Sequence, residues 1–258
     1  MGEIARAAEL ILEARTRRRR LVQMPDVVRP ADEVEAYDVQ DSLHRLMGPR
    51  GGFKIGCTTA VMQSYLGIDH PCAGIIDRSG VLHGSQTFAA GDFVHPGVEC
   101  EIAVELARDI GPSDGPFTPE RVAEAVASVF PAIEIVDDRY LDWKSFDLPT
   151  LVADDFFHAA VVLGPRFDDW LGLDLAALSG RIFVDGGLVG AGKGADVLGH
   201  PMNALAWLAE LRAGRGDTLK AGEVISLGSL TETSWLTPGM TAEIVIEILG
   251  GVSFTYGA

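Results

Sequence analysis

Between Val98 and Leu106 the chain runs VECEIAVEL, and its polarity alternates. A strand's period of two puts Val98, Cys100, Ile102, Val104 and Leu106 on one apolar face, and Glu99, Glu101, Ala103 and Glu105 on the other. Elsewhere the period is helical. Residues 3–22 predict an amphipathic helix with Ile4, Ala8, Ile11, Leu12 and Ala14 on one side, and Pro25 and Pro30 interrupt the pattern. A second helix is expected over 31–47, carrying Val34, Tyr37, Leu43, Leu46 and Met47, with Gly48 as its stop. From Gly51 the texture changes to short apolar runs between glycines and prolines. Strands are expected at 53–57, 73–77, 81–86, 130–137 and 155–164, with a hairpin over 181–190 turning at Asp185-Gly186-Gly187. Short helices are expected at 58–68 and 119–129, a longer one at 198–213, and EVISLGSL, TAEIVIEI and VSFTY close the chain as strands. The plan is α+β, with an N-terminal helical segment over 1–50 and a strand-rich globular unit over 51–258.

The acidic face of VECEIAVEL raises a chemical question. Glu99 and Glu101 are i, i+2 neighbours, so their carboxylates point the same way about 7 Å apart at Cβ. Like charges repel and Glu is a poor strand former, so the pair needs water or a partner. A hard divalent cation is one such partner; a solvated acidic face is the other reading. Glu134 sits in PAIEIV between Ile133 and Ile135, where burial is expected, and a buried carboxylate must be paired, protonated or bound to a cation. An ion pair with Arg139 would satisfy it, and so would an ion shared with Glu99 and Glu101. Three glutamates would leave about half of an octahedral ion's positions open for a ligand. Lys54, a lone cation in GGFKIGC, is either an exposed edge-strand lysine or a group that holds an anionic substrate or moves a proton.

Composition narrows the classes. The 258 residues carry 21 Lys+Arg against 37 Asp+Glu, a net charge of −16, which disfavours nucleic acid as a partner. The basic run Arg17–Arg20 suits the end of a helix. Cys57, Cys72 and Cys100 lack C-x-x-C spacing, which fits free thiols in a reducing compartment. MGEIARAAEL lacks the apolar centre of a signal peptide, and no run reaches the length of a membrane span, so a cytoplasmic protein is expected. GLVGAGKGAD nearly spells a phosphate-binding loop, but Gly194 stands where the hydroxyl must be. His200, at a helix start, suits capping better than catalysis. G-x-S-x-G, H-E-x-x-H and the dinucleotide fingerprint do not occur.

Six blocks in order complete the picture: GGFKIGCTTAVMQSYLGI, PGVECEIAVELARDI, FPAIEIVDDRYLDW, LVADDFF, GKGADVLGHPMNALAWLA and LKAGEVISLGSL. Together they resemble the 2-keto-4-pentenoate hydratase and 4-oxalocrotonate decarboxylase group of the fumarylacetoacetate hydrolase superfamily, from about residue 30 to the end. The resemblance implies a fumarylacetoacetate hydrolase-like mixed β-sheet roll with flanking helices, a homo-oligomer, and an Mg²⁺ or Mn²⁺ ion. It matches the family's metal-binding glutamates to Glu99, Glu101 and Glu134, and its active-site lysine to Lys54, with Arg139 a weaker candidate for substrate contact. The implied substrate is a short 2-oxo or dienol acid from meta-cleavage of aromatic rings. Hydration of a 2-hydroxy-2,4-dienoate is the first activity expected. A 4-oxalocrotonate-type decarboxylase, an acylpyruvate-type carbon–carbon hydrolase and a non-catalytic metal-binding partner protein are the alternatives, and a complex with a partner decarboxylase or hydratase is open. The likeness breaks at one place. Hydratases of the group carry an acid after the proline of P-D-[YF]-G, whereas this chain has Pro71-Cys72-Ala73-Gly74. A thiol does not replace a carboxylate as an acid–base group.

Overall fold

A computed structural model describes residues 2–21 and 23–258. The first helix, α1 (Glu3–Thr16), is shorter than the expected 3–22: Arg17 caps it and Arg18 turns left-handed at φ 49°. Val22, the last residue of that expectation, lies outside the described residues. Ala7, Ala8, Ile11 and Ala14 form its buried side, while Ile4 stays exposed. α2 (Glu33–Met47) begins at Asp32, whose carboxylate accepts from the Glu35 amide, and buries Ala36, Tyr37, Val39, Gln40, Leu43 and His44. Val34 and Leu46, expected on the apolar face, are exposed.

The strand-rich body then alternates short helices and strands: β1 (Arg50–Gly56), α3 (Ala60–Leu66), β2 (Cys72–Asp77), β3 (Val81–His83), β4 (Gln86–Phe88) and β5 (Pro96–Leu106). Next come α4 (Pro119–Ala123), β6 (Val126–Asp137), α5 (Leu148–Ala153), β7 (His158–Leu163), β8 (Ser179–Val184) and β9 (Gly187–Lys193). The chain closes with α6 (Pro201–Gly214), β10 (Val224–Ser229), β11 (Ser234–Trp235), β12 (Thr241–Ile246) and β13 (Gly250–Tyr256). The expected helix over 119–129 is corrected to one short turn of helix. From Val126 the chain pairs with β5 instead, because its apolar side chains are needed in the sheet.

Two mixed sheets result. The larger runs β2-β1-β10-β5-β6-β7-β3, with β11 also on β5, and the smaller runs β4-β13-β12-β8-β9. One apolar cluster joins them: Val98, Cys100, Ile102, Ile133 and Ile135 from the first sheet meet Ile182, Ile244, Ile246 and Phe254 from the second. The helical segment belongs to that core too, through Ile11, Tyr37 and Leu43. No helix among the described residues is long and apolar enough to cross a membrane.

Packing explains the glycine-rich stretch that resembled a phosphate loop. It forms β9 and the turn after it, and a Cβ on Gly192 would stand 1.7 Å from the Leu230 carbonyl oxygen. Close approach of β9 to the backbone just past β10, not a ligand, demands that glycine. His200 caps α6: its Nδ1 accepts from the Met202 amide at 3.1 Å.

Candidate active site

Strand register assembles the carboxylates. β5 and β6 run antiparallel with Glu99 directly opposite Glu134, and Glu101 lies two residues along the same face. β5 is central, between β10 and β6, and its acidic face is covered around Glu101, which is fully buried. Glu101 and Glu134 are buried and Glu99 is partly buried. One oxygen from each of the three lies within 4.8 Å of the others. Directly opposed like charges destabilise a sheet, so the arrangement calls for a compensating cation.

One resident cation is Lys54. β1 sits between β2 and β10 and Lys54 is 3% exposed, so the exposed edge-lysine reading is corrected on both counts. Its Nζ lies 3.3 Å from Glu134 Oε1 and donates to the Phe156 carbonyl at 3.0 Å. Burial opposes its charge, but Glu134, Glu99 and Glu101 outweigh that and raise its pKa above the ordinary lysine value. The amine is therefore an ammonium. Of its three N–H bonds two are spent on the protein, which leaves one for a ligand.

The three carboxyls are not equivalent. For Glu134 burial favours the neutral form, but Lys54 and a hydrogen bond from His158 prevail and hold its pKa below the usual carboxylate range. Burial and the Glu134 charge push Glu99 up to about 7, against the hydrogen bond it accepts from Thr233. Burial together with Glu134 and Glu99 holds Glu101 well above the ordinary carboxylate value. Glu101 Oε2 accepts from Ser226 Oγ at 2.5 Å and from the Gly228 amide at 3.2 Å. Gly228 is required there: its φ is 120°, and a Cβ would meet Thr58 at 2.7 Å. Glu101 Oε1 is buried and finds no hydrogen-bond partner among the described residues. A buried carboxylate oxygen left free, beside two more carboxylates, suits a hard divalent cation.

His158 is a site residue that its sequence context hides. It opens β7, and Nδ1 donates to Glu134 Oε1 at 2.9 Å. Burial lowers the imidazole's pKa despite Glu134, so the ring is neutral, and the hydrogen bond fixes its tautomer with Nδ1 protonated. A histidine heading an apolar run is the sequence signal that could have found it. Arg139 is placed elsewhere. Its five N–H groups go to the Asp154 carboxylate and carbonyl and to the carbonyls of Phe157 and His158. The expected substrate contact is corrected to a buried ion pair with Asp154 at 3.0 Å, since no donor is left over.

Cys72 stands on the face of β2 that Lys54 shares, because Gly56 pairs with Cys72 and Lys54 with Gly74. A hydrogen bond with Cys57, together with burial, pushes its thiol far above the ordinary range, so it stays protonated. It offers no base to the cluster.

An α+β roll that opposes three glutamates across adjacent strands, with a buried lysine beside them, defines a class. The chain belongs to the fumarylacetoacetate hydrolase family, whose C-terminal family pattern matches residues 77–255. Within it, the chain is 32% identical to 2-keto-4-pentenoate hydratase 2 of Dechloromonas aromatica over 96% of this chain and 95% of that one. It is 33% identical to 4-oxalocrotonate decarboxylase of Pseudomonas putida over 85% of this chain and 83% of the relative. Among solved structures, 4-oxalocrotonate decarboxylase from Pseudomonas putida G7, complexed with magnesium and adipate, superposes with a TM-score of 0.91 at 28% identity, covering 98% of this chain and 97% of that one.

Proposed function

We propose that this chain is a divalent-cation-dependent lyase that hydrates a 2-hydroxy-2,4-dienoate to a 4-hydroxy-2-oxo acid. The observation that carries it is the convergence of Glu99, Glu101 and Glu134 around a free, buried Glu101 oxygen, with the Lys54 ammonium alongside. The three glutamates hold the cation, and their all-oxygen donor set suits Mg²⁺ or Mn²⁺. When bound, that ion supplies Lewis-acid stabilisation of negative charge on the substrate's 2-oxygen.

The protein's own groups supply the rest. Lys54 gives its remaining N–H to the substrate carboxylate and fixes the chain of the dienol beside the cluster. Charged and held by acidic neighbours, it serves as an orienting cation or a proton donor, not as a base. Loss of the 2-hydroxyl proton with protonation at C5 converts the dienol to the 3-en-2-one acid. Water then adds its hydroxyl to C4 and its proton to C3. His158 keeps Glu134 aimed at the cluster through Nδ1. Three free buried thiols suit a cytoplasmic setting, and the reading carries with it a homo-oligomer open to a partner lyase.

A second reading, decarboxylation of a 4-oxalocrotonate-type diacid, is favoured by one feature: the neutral Cys72 thiol on the Lys54 face supplies no base for water. The test is incubation of the purified chain, with Mg²⁺, with 2-hydroxypenta-2,4-dienoate and separately with 4-oxalocrotonate. Loss of dienol absorbance with 4-hydroxy-2-oxopentanoate formed supports hydration. CO₂ released from the diacid without a hydroxylated product moves the assignment to the decarboxylase. No turnover of either acid by cation-loaded protein refutes both.

A further inference from the structure

Between α5 and β7 three consecutive non-glycine residues lie in the left-handed region: Asp155 at φ 51°, Phe156 at 49° and Phe157 at 71°. Side chains other than glycine avoid that region, and a run of three persists only where its surroundings impose it. The surroundings are specific. Arg15, on α1, bridges Asp154 Oδ1 at 2.6 Å and Asp155 Oδ2 at 2.8 Å. His44, on α2, lies 2.7 Å from the same Asp155 oxygen. The Ile75 amide donates to Asp155 Oδ1 at 2.8 Å, and Arg139 holds the carbonyls of Phe157 and His158.

What the strained turn delivers is equally specific. It aims the Phe156 carbonyl at Lys54 Nζ, 3.0 Å away, and it starts β7 so that His158 Nδ1 meets Glu134. A relaxed turn would move that carbonyl off the lysine. β2 presses on the turn as well: a Cβ on Gly74 would stand 2.9 Å from the Asp155 carbonyl oxygen and 3.1 Å from Lys54 Cε.

We propose that Arg15 and Asp155 are positioning residues, and that the N-terminal helices act on the reaction by locking the Asp155–Phe157 turn against Lys54 and Glu134. The catalytic consequence rests on the lyase reading; the geometric one does not. The helical segment thus has a task beyond covering the core, and it acts on Lys54 through the turn, without touching substrate.

The test is Arg15→Ala in the full chain, read by steady-state kinetics on the dienoate and by a crystal structure of the variant. The expected result is a fall in kcat of about tenfold or more, since small misplacements of positioned groups cost that much. KM should stay within about threefold, because the lost contact is not to substrate. Added guanidinium ion should restore part of kcat, because the Arg15 side chain keeps 12% of its surface exposed. In the crystal the Phe156 carbonyl should leave hydrogen-bond reach of Lys54. If Arg15→Ala does not fold, Asp155→Asn, which keeps an oxygen for the Ile75 amide and loses the ion pairs, is read in the same two ways. An unchanged kcat in a folded variant, or a turn that keeps its left-handed run and its contact with Lys54, overturns the proposal. Should the unsubstituted chain turn over no dienoate, the lyase reading falls and the crystal result alone decides this inference.

Discussion

Glu99 makes the cluster's need for a cation measurable as stability. Burial and the Glu134 charge push its pKa from 4.5 to about 7 in the metal-free fold. The folded state therefore binds this proton more tightly than the unfolded chain does. Its contribution is fully present below 4.5 and is lost as pH rises through 7. A shift of about 2.5 units corresponds to about 3.4 kcal/mol, and partial exposure of Glu99 reduces that to about 2 kcal/mol. For a chain of this size that is a fall of about 4–8 °C in Tm. His158 works in the opposite direction, because its lowered pKa makes the fold gain stability with rising pH. Comparison with Glu99→Gln isolates the glutamate. The assay is thermal unfolding from about pH 5 to 8 in chelator and in saturating Mg²⁺, since cation binding displaces the proton. In chelator, the unsubstituted chain should lose about 2 kcal/mol relative to Glu99→Gln across that range; Mg²⁺ should abolish the loss, so its stabilising effect grows with pH. Parallel pH profiles for the two proteins in chelator, or an Mg²⁺ effect independent of pH, would refute the reasoning.

Three substitutions probe the remaining parts. Glu134→Gln should weaken Mn²⁺ binding by about tenfold or more in calorimetric titration, and unchanged affinity removes Glu134 from the site. Lys54→Met should lower kcat on the dienoate by about a hundredfold while Mn²⁺ binding is retained; a kcat within a factor of about two contradicts its role. Arg139→Met should cost about 3 kcal/mol in denaturant unfolding, the low end for a broken buried pair because Arg15 and Tyr140 stay on Asp154. A raised KM with unchanged stability would return Arg139 to the substrate.

What the chain reveals before folding follows from the range of each interaction. The alternation in VECEIAVEL is local, so the paired acids of β5 are visible, as are Glu134 among isoleucines and Lys54 in an apolar run. Covering of the acidic face of β5 is not visible, because it depends on groups distant in the chain, such as Ser226, Gly228 and Thr233, closing around the glutamates. His158 reaches Glu134 only through the register of β6 on β7, and Arg15 meets Asp154 across 139 residues. Neither leaves a mark in a sliding window. The helix expected over 119–129 fails for the same reason: Ala123, Ala125 and Ala127 suit a helix, but pairing with β5 claims the chain from Val126. Arg139 follows Glu134 closely in sequence and is still not in the site, since its guanidinium is taken up by Asp154 and the turn.

The most direct measurement is a crystal structure with Mn²⁺ and oxalate, the ion located by its anomalous signal. The account predicts one ion at about 2.0–2.2 Å from an oxygen of each of Glu99, Glu101 and Glu134, with two further positions filled by oxalate and the Lys54 ammonium within reach of an oxalate oxygen. Manganese bound without Glu134, or oxalate seated away from Lys54, would contradict it.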